Sequence, residues 1–183
     1  MNEVTMTALG QIGAFAVIAF AAVGSALGTG AGCAAAIGAW KKCYAQNKPA
    51  PFLLIGLAGA PFSQTIYGIV AMYLMFPSFT EKGVGYWPFY LVIGVLAGLA
   101  IGYSAWMQGK AAAGACSAFV DTEKGFANYL IALGVIETVA IFVLVFLIVI
   151  MGKLPDAKTL SKSTSEIVNQ PAKVQLQSPG AAK

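Results

Sequence analysis

Residues 128–151 form an apolar run with a single formally charged side chain, Glu137, near its middle. About 20 apolar residues rising ~1.5 Å each cross the ~30 Å hydrocarbon core of a bilayer, so this run is long enough to span one. Glu137 is then a carboxyl group at membrane depth. Placing it there costs ~2.5 kcal/mol or more, and such a group is under pressure to be protonated, paired or coordinated. The rest of the chain is therefore read for the groups that would satisfy it.

The chain is 58% hydrophobic and only 10% charged, which points to a membrane protein and away from the soluble enzyme classes. Its 183 residues have room for four spanning helices, at about 7–40, 52–76, 89–119 and 128–151, followed by a polar tail over 153–183. The expected fold class is an all-α membrane protein. There is no histidine, which argues against imidazole metal ligation and a Ser-His-Asp triad. No GxxxxGK[ST] motif is present to cradle a nucleotide. Cys33, Cys43 and Cys116 show no CxxC spacing and read as small packing residues. The start has no basic n-region, and the apolar run after it exceeds a signal peptide's, so it is expected to remain as a helix. The net charge of +4 comes mainly from one loop and the tail, which suggests membrane topology rather than nucleic-acid binding.

Small residues recur at one-turn spacing in the first and third spans, as Gly24, Gly28 and Gly32 and as Gly94, Gly98 and Gly102. Glycines so spaced line one helix face and admit another backbone closely. Between the first two spans, Lys41, Lys42 and Lys48 make a basic loop with no acid, whereas residues 80–83 form a turn of mixed charge. The basic loop is expected on the cytoplasmic side, with both termini outside. In the second span Pro61 precedes Ser63, Gln64, Thr65 and Tyr67. Proline there removes the main-chain bond to the Leu57 carbonyl, tolerable where neighbours re-satisfy the backbone. The aromatic segment 86–90 has the character of a membrane interface. After Lys153 the composition turns to Ser, Thr, Gln, Lys and Pro, which predicts a disordered tail. Residues 25–30 are similar to 104–109, and Gln64-Thr65 falls where Glu137-Thr138 sits in the second half. Two duplicated hairpins, 1–78 and 84–152, follow from that register, with Gln64 in the carboxylate position.

Counting inward from the basic loop and from the loop at 121–125 puts Gln64, Gln108 and Glu137 at one depth, ~18–20 Å in. Ala60, Ser63, Gln64 and Tyr67 follow i, i+3, i+4, i+7 spacing and share a helix face. A hydroxyl, two amide oxygens, a carboxylate and any spare carbonyl make a small all-oxygen donor set, which hard cations prefer. With one negative charge, it suits a monovalent ion better than Ca²⁺ or Mg²⁺. Tyr67 is placed to donate a hydrogen bond to Glu137. Taken singly, Ser63, Gln64 and Tyr67 read as glue between helices, worth ~0.6–1.5 kcal/mol each. A glutamate at the same level favours an ion site. Lys110 lies ~200° around its helix from Gln108 and is expected to face away from the site and snorkel toward the cytoplasmic interface or a central lumen.

Residues 8–151 resemble the proteolipid (K or c) subunit of V-type ATPases. The likeness rests on residues 28–30, on the run from Pro61 to Gly68, on Ser104 to Lys110, and on 135–138. It implies four transmembrane helices assembling into a homo-oligomeric rotor ring in a bacterial or archaeal cell membrane. In the sodium-transporting members, it implies Glu137 as the ion-carrying carboxylate, Gln64 and Gln108 as amide-oxygen ligands, Ser63 as the hydroxyl ligand, Ala60 as a main-chain carbonyl ligand, and Tyr67 as the group orienting Glu137. Ser63 stands where the sodium pattern has threonine. The implied partners are copies of the chain, a stator membrane subunit with an arginine, central-stalk subunits and lipid, with no nucleic acid. Na⁺ or H⁺ is cargo, and no cofactor is implied. The subunit would not be an enzyme by itself. A proton-carrying ring, a small secondary cation transporter and a structural four-helix protein are the alternative readings.

Overall fold

A computed structural model describes residues 1–156 and residue 159, and every regular element in it is helical. Helix α1 (Glu3–Ala45) opens at Asn2, whose side-chain oxygen accepts from the Thr5 N–H at 2.9 Å and the Thr5 hydroxyl at 2.7 Å. With no proline to stop it, α1 runs beyond the expected span at both ends and is followed by a turn with Asn47 at φ 54°. Its 43 residues make a rod ~64 Å long. Pro49 and Pro51 then break the chain, and the Trp40 indole N–H holds the loop by donating to the Pro51 carbonyl at 2.8 Å.

The second span is not one uniform helix. After α2 (Leu54–Ala58) the chain tightens into a 3₁₀ turn over Ala60–Phe62, then continues as α3 (Ser63–Lys82). Pro61 has no N–H for the α-helical ladder, and the Phe62 N–H reaches only to the Gly59 carbonyl, at 3.0 Å. Helix α3 passes through Pro77 to Lys82, so the expected turn at 80–83 contracts to Gly83 at φ 96° and a 3₁₀ turn, Val84–Tyr86. Helix α4 (Trp87–Thr122) starts with Pro88 in its first turn, where a missing N–H is harmless. Glu123 and Gly125, at φ 55° and 82°, turn the chain into α5 (Phe126–Lys153). The disordered tail expected from residue 153 falls mostly outside the described residues. Within them, Lys153 is still helical and Asp156 pairs with Lys82 at 2.6 Å.

Four helical segments, Glu3–Ala45, Leu54–Lys82, Val84–Thr122 and Phe126–Lys153, are long and apolar enough to cross a membrane. The tightest packing joins α1 to α4 through their glycines. A Cβ on Gly24 would strike the Gly102 backbone, one on Gly94 would strike Gly13, and one on Gly109 would strike Gly28. The close approach that small residues permit is thus realised between the first and third spans. Gly32 meets Ala58 of α2 in the same way.

Two apolar clusters divide the bundle along its length. One gathers Val17, Ala21, Ala71, Met75, Ile101 and Ala140, and the other Ala36, Leu57, Ala58, Ala112, Cys116 and Leu133. Along every span the polar positions lie between members of the two clusters: Ser25 and Thr29, Gln64, Ser104 and Gln108, and Glu137. The three cysteines are free, with Cys43 and Cys116 buried. Outward-facing positions of α5 are almost wholly apolar, including Ile131, Val135, Val139, Phe142 and Phe146. That inversion of the soluble pattern fits an integral membrane protein.

Candidate functional site

The 3₁₀ turn at Pro61 delivers the first site residues. The Ala60 carbonyl accepts the Ser63 N–H that closes this turn and also the Ser63 hydroxyl, at 3.0 Å, which lies 3.2 Å from Gln64 Oε1. Gln64 follows on the face turned toward α4 and is fully buried. Its Nε2 donates to Gln108 Oε1 at 2.7 Å. Gln108, also at 0% exposure, sends its own Nε2 to the Leu133 carbonyl at 3.0 Å and toward Glu137 Oε2 at 3.3 Å. The circuit closes from α3, where the Tyr67 hydroxyl donates to Glu137 Oε1 at 2.6 Å.

All six residues singled out in the sequence as the oxygen set or its support are therefore brought together. Ala60, Ser63, Gln64 and Tyr67 arrive from one face of the second span, Gln108 from α4 and Glu137 from α5. The shortest bonds of the set are Tyr67 to Glu137 and Gln64 to Gln108. Glu137 itself is half-buried, with Val135 and Val139 exposed on either side. The carboxylate thus sits in the wall of the bundle, with its partners behind it and the outer apolar surface in front.

Two features depart from the sequence-level picture. Gln108 turns its amide nitrogen toward Glu137 and spends its oxygen on Gln64, so presenting that oxygen to a cation beside Glu137 requires the amide to rotate. In addition, Ser104 belongs to the assembly, donating to the Ile136 carbonyl at 3.0 Å and tying α4 to α5 one residue before Glu137. Its position four residues before Gln108, on the same helix face, was the available signal. The glycine ridges hold α1 against α4 beneath the site, and Lys110 faces outward as expected.

The side chains permit reversible binding of a small cation or proton. Glu137 is the one acid of the set, Gln108 links it to Gln64, and the Tyr67 hydroxyl bonds its Oε1. No curated protein matches the chain. Residues 91–150, about a third of the chain and the segment that carries Ser104, Gln108 and Glu137, match the family model of the ATP synthase C-subunit, so that over α4 and α5 the chain is similar to the c-subunit proteolipids.

Proposed function

We propose that the chain is a rotor-ring subunit of a V-type ATPase that carries Na⁺ on Glu137. The observation that carries this reading is a half-buried glutamate, inside the segment that matches the C-subunit family, held by Tyr67 and by Gln108, which Gln64 in turn holds. That family's members form rings and carry ions without being catalytic alone. Sodium is favoured by the donor set, since Glu137 contributes one negative charge, the 3₁₀ turn contributes the Ala60 carbonyl, and the start of α3 contributes the Ser63 and Gln64 oxygens.

In operation, a copy takes its ion from one half-channel against a stator subunit, carries it around the ring facing lipid, and releases it into the other. The site must be neutral on the lipid-facing arc, because a bare carboxylate there costs ~2.5 kcal/mol or more. Bound Na⁺ supplies that neutrality, and a stator arginine displaces it. ATP-hydrolysing subunits drive the ring through a central stalk. A proton is the other reading for the cargo, and it too requires the Gln108 amide to turn, because a protonated Glu137 donates its own O–H and needs an acceptor where Gln108 offers an N–H.

Carbodiimide labelling separates the two. The reagent attacks a protonated carboxyl, so bound Na⁺ keeps Glu137 ionised and unreactive. Near pH 6, at fixed ionic strength, millimolar Na⁺ is expected to slow labelling of Glu137 while K⁺ does much less. Equal rates in the two salts would assign the proton as cargo and leave the rotor role standing.

A further inference from the structure

Two hydroxyls on α1, Ser25 Oγ and Thr29 Oγ1, are sealed inside the bundle and have no hydrogen-bond partner among the described residues. Ser25 is only 3% exposed. Elsewhere in the bundle threonine hydroxyls turn back on their own helix, Thr80 to the Phe76 carbonyl, Thr122 to Ala118 and Thr138 to Val135. Ser25 and Thr29 do not. A hydroxyl buried in an apolar surround without a partner is costly, and a span in lipid has no bulk water beside it to relieve the cost.

Their neighbours show what these hydroxyls face. One turn before Ser25, Ala21 meets Gly68 of α3, where an added Cβ would lie 2.8 Å from the Ala21 Cβ. Three residues after Ser25, a Cβ on Gly28 would lie 2.9 Å from Pro61, and Gly32 meets Ala58. Residues at these spacings share a helix face, so Ser25 is set against the second span between Gly68 and Pro61, and Thr29 between Pro61 and Ala58. In the similar segment of α4 the two places are taken by Ser104 and Gln108, and both are satisfied directly, by the Ile136 and Leu133 carbonyls at 3.0 Å each. Counted back from Gln64 as those are from Glu137, the corresponding carbonyls are Ser63 and Ala60. Thr29 cannot reach as Gln108 does, because its oxygen stands one bond beyond Cβ and the amide nitrogen three. The shortfall, about 2.5 Å, is close to the length of one hydrogen bond to water.

We infer that one buried water bridges α1 to the second span at this level, accepting from the Ser25 and Thr29 hydroxyls and donating to the Ser63 carbonyl. The Ala60 carbonyl already takes the Ser63 N–H and the Ser63 hydroxyl, which leaves the second lone pair of the Ser63 carbonyl as the acceptor. Three bonds are the usual complement of a buried water, and such a bridge is nearly as good as a direct bond. It joins α1 to the second span as Ser104 joins α4 to α5 without an intermediary. The water touches neither Glu137 nor its partners Tyr67 and Gln108, so the inference stands whichever ion the protein carries.

The test joins a density map of the full chain, fine enough to show ordered water, to melting curves of two variants. In the wild-type map a peak is expected within about 2.6–3.2 Å of both Ser25 Oγ and Thr29 Oγ1. Stability supplies a sign. An apolar replacement stabilises where it removes an unpartnered hydroxyl and destabilises where it removes one that holds a water. Thr29→Val and Ser25→Ala should therefore each lower the melting temperature, by about 2–4 °C. The double variant should fall little further than either single one, because the first change already releases the water. A wild-type map that shows ordered water elsewhere but none here overturns the proposal, and it does so even if neither variant folds. A melting temperature unchanged or raised in Thr29→Val, or losses that simply add in the double variant, overturns it as well.

Discussion

Both oxygens of Glu137 face a donor, Oε1 the Tyr67 hydroxyl at 2.6 Å and Oε2 the Gln108 amide at 3.3 Å, and the first bond is much the shorter. A phenol on a carboxylate is worth about 1.5–3 kcal/mol when one partner is ionised. Here it also ties the Glu137 carboxylate on α5 to the second span. Tyr67→Phe keeps the ring and its packing and deletes only the donor. If even ~1.4 kcal/mol of site organisation is lost, ion affinity falls about tenfold. In the carbodiimide assay this variant should need about ten times more Na⁺ for half-protection, with unchanged helicity and melting. An unaltered protection curve would show that the hydroxyl does not organise the site. Gln108 is a poorer probe, because removing it also strips Gln64 Nε2 and the Leu133 carbonyl of their partner.

Between elements, the decisive contact is α1 on α4, and it distinguishes one glycine from another. A Cβ on Gly98 would lie 2.8–2.9 Å from main-chain atoms of Ala16 and Val17, and helix backbone cannot yield as a side chain can. Gly114 meets nothing within 4 Å. Gly98→Leu should therefore insert, since hydropathy rises, but lose the compact bundle and its assembly in native electrophoresis. Gly114→Ala should assemble normally and gain up to ~1 kcal/mol from helix propensity, read as a higher melting temperature. Intact assembly by Gly98→Leu would refute the packing account. The spacing of Gly24, Gly28 and Gly32 revealed a close approach but not its partner, because a four-residue stripe carries no information about which helix faces it. Depth counting likewise put Gln64, Gln108 and Glu137 on one level, since the rise per residue is fixed. The orientation of the Gln108 amide was not legible, because it depends on whether Gln64 or Glu137 competes better for its two ends. Nor did composition reveal that α3 continues through Pro77 to Lys82. Tyr90, buried and 2.5 Å from the Ser78 hydroxyl, helps hold that last stretch in place, a tertiary contact with no local sequence signal.

At the scale of the whole molecule, the polar layer between two apolar clusters places one carboxylate per chain in a bundle whose outer surface is apolar. A single chain of this kind can act as an independent carrier or as one position on a wheel, and the two differ in how a defective copy is felt. Glu137→Gln keeps the side-chain volume and removes the charge, so the variant should assemble with wild-type copies yet carry no ion. If chains work independently, transport falls in proportion to the mutant fraction. If they form a ring in which every copy must pass the stator, one defective copy stalls the whole assembly, and activity follows the fraction of rings that contain none. With roughly ten copies, one mutant chain in ten would leave only about a third of rings intact. Co-expressing the two forms at graded ratios and measuring ATP-driven ion uptake in vesicles should give this steep decline, and its curvature reports the number of copies. A straight-line fall would reject the rotor in favour of a secondary transporter, even with Glu137 confirmed as the residue that binds the ion.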